Sequence, residues 1–237
     1  MRGKWNLGLS VWLAFLVLGA AAPLLIFSAA TLFQISKDAQ VSRDRGHTDT
    51  ARALGLAVDA EIRSWKAALT ALAESKSLQQ RRLADFYEEA HQVASQHEGW
   101  IVLIDSTGQQ LLNTLRPYGA PLPKTGSPDV IHAIFRDGKP IVTDLAFGSV
   151  VQRLAVSAVV PVRRSGQIVY ALSMTFAPER LTHLLQKQQL PGTWVAGLVD
   201  RQSRVIARSV DAAGRLGKVA PQALVEASAR ANSGLIT

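Results

Sequence analysis

The sequence predicts an α+β protein: an N-terminal transmembrane helix, a long stalk helix, a module built on an antiparallel sheet, and a second, incomplete module of the same kind. Three features of the 237-residue chain predict it. A long uncharged apolar stretch opens the chain, a helical periodicity follows, and from Trp100 onward short apolar runs alternate with turn signals.

From Trp5 to Ser36 run 32 residues without a formal charge, against the roughly 20 that cross a hydrocarbon core. Fourteen Leu, Ile, Val or Phe residues lie between Leu7 and Phe33, each favouring insertion by roughly 0.3 to 0.6 kcal/mol. Pro23 is tolerated in such a helix and predicts a bend near Ala20 to Leu24. A cleaved signal peptide is the competing reading, because Arg2 and Lys4 precede the apolar run and small residues occupy 19–22. Cleavage after Ala22 would set Pro23 beside the scissile bond, and the run continues to Phe33, so an uncleaved anchor is expected. The short basic head places residues 1–6 in the cytoplasm, the span at 7–33 in the inner membrane, and the remainder of the chain in the periplasm.

From residue 37 onward there are 24 Lys and Arg against 18 Asp and Glu. That mild excess suits an anionic small ligand or lipid head groups. No dense basic run with interleaved aromatics occurs, so nucleic acid is not an expected partner. With no cysteine, disulfides and thiolate metal sites are excluded.

After the membrane, Leu54, Val58, Ile62, Trp65, Leu69 and Leu72 recur at helical spacing, which predicts a stalk helix beginning near Asp38. Ser77 and Gln80 have the spacing of a capping box, and Leu83, Phe86, Ala90, Val93 and His97 continue as a second helix, so the stalk helices cover 38–98. At Trp100 the period changes: Ile101 to Ile104, the turn Asp105-Ser106-Thr107-Gly108, and Leu111-Leu112 predict a hairpin. Ser127-Pro128-Asp129 opens a short helix that Gly138 closes. Three strands follow as an antiparallel meander, Ile141 to Phe147, Leu154 to Val162 and Gln167 to Phe176. On the last of them bulky residues, Ile168 to Phe176, alternate with Val169, Ala171, Ser173 and Thr175. A helix from Pro178 to Gln188 leads to another hairpin, Val195 to Asp200 and Val205 to Ser209, and then to a helix-like stretch at Pro221 to Asn232. Asp105 and Asp200 are 95 residues apart, and at that offset Leu103 aligns with Leu198, Leu111 with Ile206 and Thr114 with Ser209. Two related modules in tandem are expected, 99–190 distal to the membrane and 191–237 partial.

This order of elements resembles the double Cache domain, the PAS-like extracytoplasmic sensor of bacterial histidine kinases, diguanylate cyclases and chemoreceptors. The stretches that carry the resemblance are WIVLIDSTGQQLLNTLRPYGAPLP (Trp100–Pro123), GKPIVTDLAFG (Gly138–Gly148) and LAVSAVVPVRRSGQIVYALSMTF (Leu154–Phe176). They are most similar to sensor histidine kinases. The resemblance implies the signal-sensing input half of a membrane receptor, working as a parallel homodimer in which ligand closure biases the packing of the Asp38 to Ser75 helices. The kinase, cyclase or chemoreceptor output stays open, and a membrane-tethered adaptor is the alternative.

No nucleophile elbow, Walker loop or dinucleotide fingerprint occurs, and the five histidines lack metal spacing, so no catalytic residue, metal or cofactor is expected. His97 reads as a half-buried structural residue. A ligand pocket needs an apolar wall and a few convergent polar groups. The candidates are Trp100, Asn113, Arg116, Asp144, Phe147, Tyr170 and Ser173. For an amino-acid-like ligand Arg116 would pair a carboxylate, Asp144 an ammonium, and the aromatics would form the wall. The full Tyr, Arg, Trp, Tyr, Asp pattern of the amino-acid-binding Cache subgroup is not found, although Arg63 and Trp65 fall on the stalk helix.

Overall fold

Alternation along the strands decides the architecture, because both faces of the sheet carry apolar residues and both need cover. The computed structural model describes residues 51–188, 190, 194–222 and 224–226. The expected head, the span Leu7–Phe33 and the start of the stalk near Asp38 lie outside the described residues, as does most of the stretch Pro221 to Asn232. No helix among the described residues is long and apolar enough to cross a membrane.

Helix α1 occupies 51–73 of the described chain. Its predicted stripe is the buried one: Val58, Trp65, Leu69 and Leu72 are buried, and Leu54 and Ile62 partly so. A short α2 (Lys76–Gln79) and α3 (Leu83–Gln96) follow. The cap of α2 is Ser75, whose Oγ accepts from the Leu78 amide, and not the Ser77 of the expected capping box. The hydroxyl of Ser77 is buried and donates to Glu89 on α3, which ties the two helices together.

Strands β1 (Trp100–Ile104) and β2 (Gln110–Asn113) form the predicted hairpin, and α4 (Pro128–Asp137) ends on Gly138 in the left-handed conformation. The strand expected from Ile141 to Phe147 is broken into β3 (Ile141–Val142) and β4 (Ala146–Phe147). Its middle leaves the sheet because the Leu145 amide donates to Asp200 and the Leu145 carbonyl accepts from Arg204. Next come β5 (Leu154–Arg164) and β6 (Gln167–Phe176), joined through Ser165 and Gly166, both at positive φ as a two-residue hairpin turn requires. The sheet order is β2-β1-β6-β5-β3 with β4 also on β5, and every pair is antiparallel.

The bulky residues of β6, Leu172, Met174 and Phe176, join Ile101 and Leu103 of β1 and Ala158, Val160 and Val162 of β5 on one face. Helices α1 to α3 fill that face. Trp65 stacks on Phe176 with ring centroids 3.7 Å apart, and both are fully buried. Beside the stack, Arg180 on α5 (Pro178–Gln186) donates through Nε to Glu61 of α1 at 3.0 Å, and Trp65 Nε1 donates to the same carboxylate at 2.9 Å. The opposite face carries Trp100, Val102, Ile104, Ala155, Val159 and Ala171, with α4 packed over it through Ile131 and Ile134.

Strands β7 (Gly197–Val199) and β8 (Val205–Arg208) form the second hairpin, followed by a short α6 (Ala212–Arg215). The hydrogen bonds of this hairpin repeat those of the first at the 95-residue offset. The Asp105 and Asp200 amides donate to the carbonyls of Gln109 and Arg204, and both carboxylates accept amides two and four residues on. Ile101 and Ala196 amides donate to the hydroxyls of Thr114 and Ser209, and the bridge Gln109 to Lys124 recurs as Arg204 to Val219. Gly108 and Ser203 both stand at positive φ. The hairpin packs on α5 and reaches the main core through Ala207.

Burial alone would raise the Glu61 carboxyl, but the Arg180 and Trp65 hydrogen bonds and the nearby Arg180 and His97 charges outweigh it and hold it below the ordinary value. A lowered folded-state value makes the ionised form a source of stability above the ordinary Glu value of about 4.3, lost as pH falls through and below it. Thermal melts of the full chain between pH 3 and 7 should therefore show a steep acid loss that Glu61→Gln flattens; an unchanged slope in the variant would contradict the clamp.

Candidate functional site

The small residues of β5 and β6 face the same side as the first turn of α4, and together they leave a cavity. It is open on one side, with about 80 Å³ accessible to the centres of water-sized molecules. Ala155, Ser157, Ser173 and Thr175 form the floor, Trp100, Val102 and Ile104 of β1 one wall, and Gln110 and Asn113 of β2 its end. Val130 and Ile131 of α4 cover it, while Thr143 and the segment 146–151 close the other side. Phe147 is 55 % exposed and stands at the mouth. Gly126 lets the loop before α4 approach that rim: a Cβ there would meet the Phe147 carbonyl at 2.6 Å.

Strand register explains the convergence. Trp100 and Ser157 are both paired with Thr175, and Val102 with Ser173, so these side chains share a face. The polar groups are joined to one another. Ser157 and Thr175 hydroxyls lie 2.8 Å apart, Ser173 and Thr175 hydroxyls 3.3 Å, and the Thr143 hydroxyl accepts the Ser157 amide at 3.0 Å. Asn113 Nδ2 donates to Gln110 Oε1 at 2.8 Å, and Gln110 Nε2 to Ser149 Oγ at 2.9 Å, which holds the 148–151 loop down on β2.

Of the residues singled out from sequence, Trp100, Asn113, Phe147 and Ser173 line this cavity. Arg116 lies elsewhere, exposed in the loop after β2, where its carbonyl accepts from Tyr87 Oη at 3.1 Å. Tyr170 packs against the helical-face core, with the Arg164 guanidinium 5.7 Å from its ring centroid. Asp144 turns toward the second hairpin, where it accepts from the Arg201 amide at 3.1 Å and from Arg201 Nε at 3.0 Å. Burial would raise its carboxyl, but these bonds and the Arg201 and Arg204 charges hold it below the ordinary value. His97 is half-buried at the end of α3. Gln110, Thr143, Ser157 and Thr175 are lining residues that sequence reasoning missed. The available signal was parity: Thr175 and Ser173 are two apart on one strand and share a face, whereas Tyr170 and Ser173 are three apart and cannot.

No family model matches the chain, and no curated protein matches it. Among solved structures it is similar to the ligand-binding domain of the Campylobacter jejuni chemoreceptor Tlp3 in complex with L-valine, at TM-score 0.59 and 13% identity over 82% of each chain. It is similar to the V. cholerae histidine kinase DctB sensor domain, at TM-score 0.58 and 13% identity over 80% of this chain and 75% of that one. The ligand-binding domain of the Pseudomonas aeruginosa PAO1 amino acid chemoreceptor PctC, in complex with GABA, matches at TM-score 0.54 and 17% identity over 84% and 86%. The fold is the one that these solved domains share. It is also the mixed α+β, PAS-like arrangement expected from the Trp100–Phe176 region.

The cavity side and the second hairpin meet at a buried junction. The Asp200 carboxylate is 1 % exposed; it accepts from Arg204 Nε at 2.9 Å and from the amides of Leu145, Gln202 and Arg204. Asp200→Ala removes the anion and leaves these donors unmatched, so it should cost roughly 3 kcal/mol in denaturant unfolding. The Arg201 side chain is largely exposed, so Arg201→Ala should cost about 1 kcal/mol or less; equal costs would contradict this assignment of the junction.

Proposed function

We propose that this chain is the ligand-binding input region of a membrane-bound bacterial signal-transduction receptor. The observation that carries this reading is a cavity built on one face of the sheet and joined by hydrogen bonds to a second hairpin. A sensor needs both a place for a ligand and a contact that reports its occupancy. In this reading the span Leu7–Phe33 anchors the chain in the inner membrane with the sensor in the periplasm, and the parent receptor is a histidine kinase, diguanylate cyclase or chemoreceptor. The chain itself contributes no catalytic step. Its two modules run over 99–190 and 191–237, and it signals as a parallel homodimer.

A contiguous physical route supports transmission. Thr143 and Phe147 line the cavity, and Asp144 and Leu145 between them hold Arg201, Asp200 and Arg204 of the second hairpin. That hairpin rests on α5, where Gln186 Nε2 donates to the Ser209 carbonyl at 3.2 Å. Arg180 of α5 holds Glu61 of the stalk helix. A ligand that favours one position of the 143–147 segment would thereby bias α1, in proportion to its differential affinity for the two arrangements.

The test is a thermal-shift screen of the full purified chain against a broad panel of small metabolites. One class of compound should stabilise saturably, by about 2.7 kcal/mol at 100 times its dissociation constant, and Ser157→Leu, which fills the floor, should abolish the shift. A panel without any saturable shift, or a shift unaffected by Ser157→Leu, would overturn the reading.

A further inference from the structure

We infer that the cavity takes an uncharged, oxygen-bearing small molecule, such as a short polyol, hydroxyketone or lactone, and not an ion or a zwitterionic amino acid. This inference rests on the sensor reading above and names its ligand class. Among the described residues, no Asp, Glu, Lys, Arg or His lines the cavity. Two charged residues close in sequence to the lining are engaged elsewhere: Asp144 holds Arg201, and Arg153 lies 3.6 Å from Glu179 with both side chains more than half exposed. The first turn of α4 borders the cavity, but it carries Asp129, which offsets the attraction of that helix end for an anion. An α-carboxylate and an α-ammonium placed here would both lose water without a counter-charge, the costly way to bury an ion.

The cavity does offer neutral hydrogen bonds in number. Three hydroxyls in the Ser157–Thr175–Ser173 chain make two mutual contacts, which leaves one hydroxyl proton over. Thr143 and Ser149 hydroxyls each accept a hydrogen bond and keep their own protons, and the Gln110 and Asn113 amides each have a second N–H. Groups with a proton to donate therefore line both the floor and the β2 end, with Trp100 and Val102 as an apolar flank. A ligand with several neutral oxygen acceptors and a short hydrocarbon face satisfies both surfaces.

The chain has no cysteine, so Ser157→Cys places a single thiol on the cavity floor and exposed Ser106→Cys supplies a reference. The full chain is treated with three methanethiosulfonates of similar size: 2-hydroxyethyl (neutral), 2-aminoethyl (cationic) and 2-sulfonatoethyl (anionic). After normalisation to Ser106→Cys, the neutral reagent should modify the cavity thiol at least tenfold faster than either charged one. In parallel, propane-1,2-diol, glycerol, erythritol, acetoin and γ-butyrolactone are compared by thermal shift with L-valine, L-isoleucine, GABA and succinate. A saturable shift confined to the neutral arm supports the inference. A charged reagent that reacts as fast as the neutral one, or a charged compound alone giving a shift that Ser157→Leu abolishes, overturns the ligand class and leaves the sensor reading standing. No shift in the neutral arm also overturns the class. A cavity thiol that reacts with none of the reagents, while Ser106→Cys does, overturns both.

Discussion

Every other feature of this domain depends on the two-residue alternation of side chains along β1, β5 and β6. On these strands one set of positions carries Ile101, Leu103, Leu172, Met174 and Phe176, and the other carries Trp100, Val102, Ser173 and Thr175. The first set is large and apolar and draws three helices onto its face, where the Trp65 and Phe176 rings stack. The second set is mixed and small at its centre, so α4 covers it without filling it. A one-residue slip of β6 would put Met174 into the cavity and Ser173 under the stalk helix, and so destroy core and site together.

Most of this arrangement was legible in the sequence. The stripe Leu54 to Leu72 names the buried face of α1, the Asp-x-x-Gly turn places the first hairpin, and the bulky and small faces of β6 are visible by inspection. The matched hairpins, found first as an offset of 95 residues, repeat down to individual hydrogen bonds such as Ile101 to Thr114 and Ala196 to Ser209. What was not legible depends on tertiary partners. Nothing local in Thr143-Asp144-Leu145 says that the strand must break there; the cause is Asp200 and Arg204, more than fifty residues away, which capture the Leu145 backbone. Asp144, expected to hold the ammonium of an amino-acid-like ligand, is taken up instead by Arg201 of the same hairpin, a partner equally remote in sequence. Arg116 and Tyr170 were attractive as residue types, and their register or loop position sends them elsewhere.

The charge distribution adds a second level. Three ion pairs stand at junctions between elements: Arg180 with Glu61 and with Glu98 joins α5 to α1 and the end of α3, and Arg201 with Asp144 joins the second hairpin to the segment beside the cavity. The cavity itself is neutral. Hydroxyls and amides line the cavity, while ion pairs link the elements around it.

The division of the sheet into a helix-packed face and a cavity face is tested most directly by alanine substitution along β6 alone. Leu172→Ala, Met174→Ala and Phe176→Ala in the full chain should each cost about 2 to 5 kcal/mol in denaturant unfolding, because each opens a hole beneath the helices. Ser173→Ala and Thr175→Ala, between them on the same strand, should cost about 1 kcal/mol or less. Costs that alternate with residue number would sustain the account; similar costs at all five positions would contradict it.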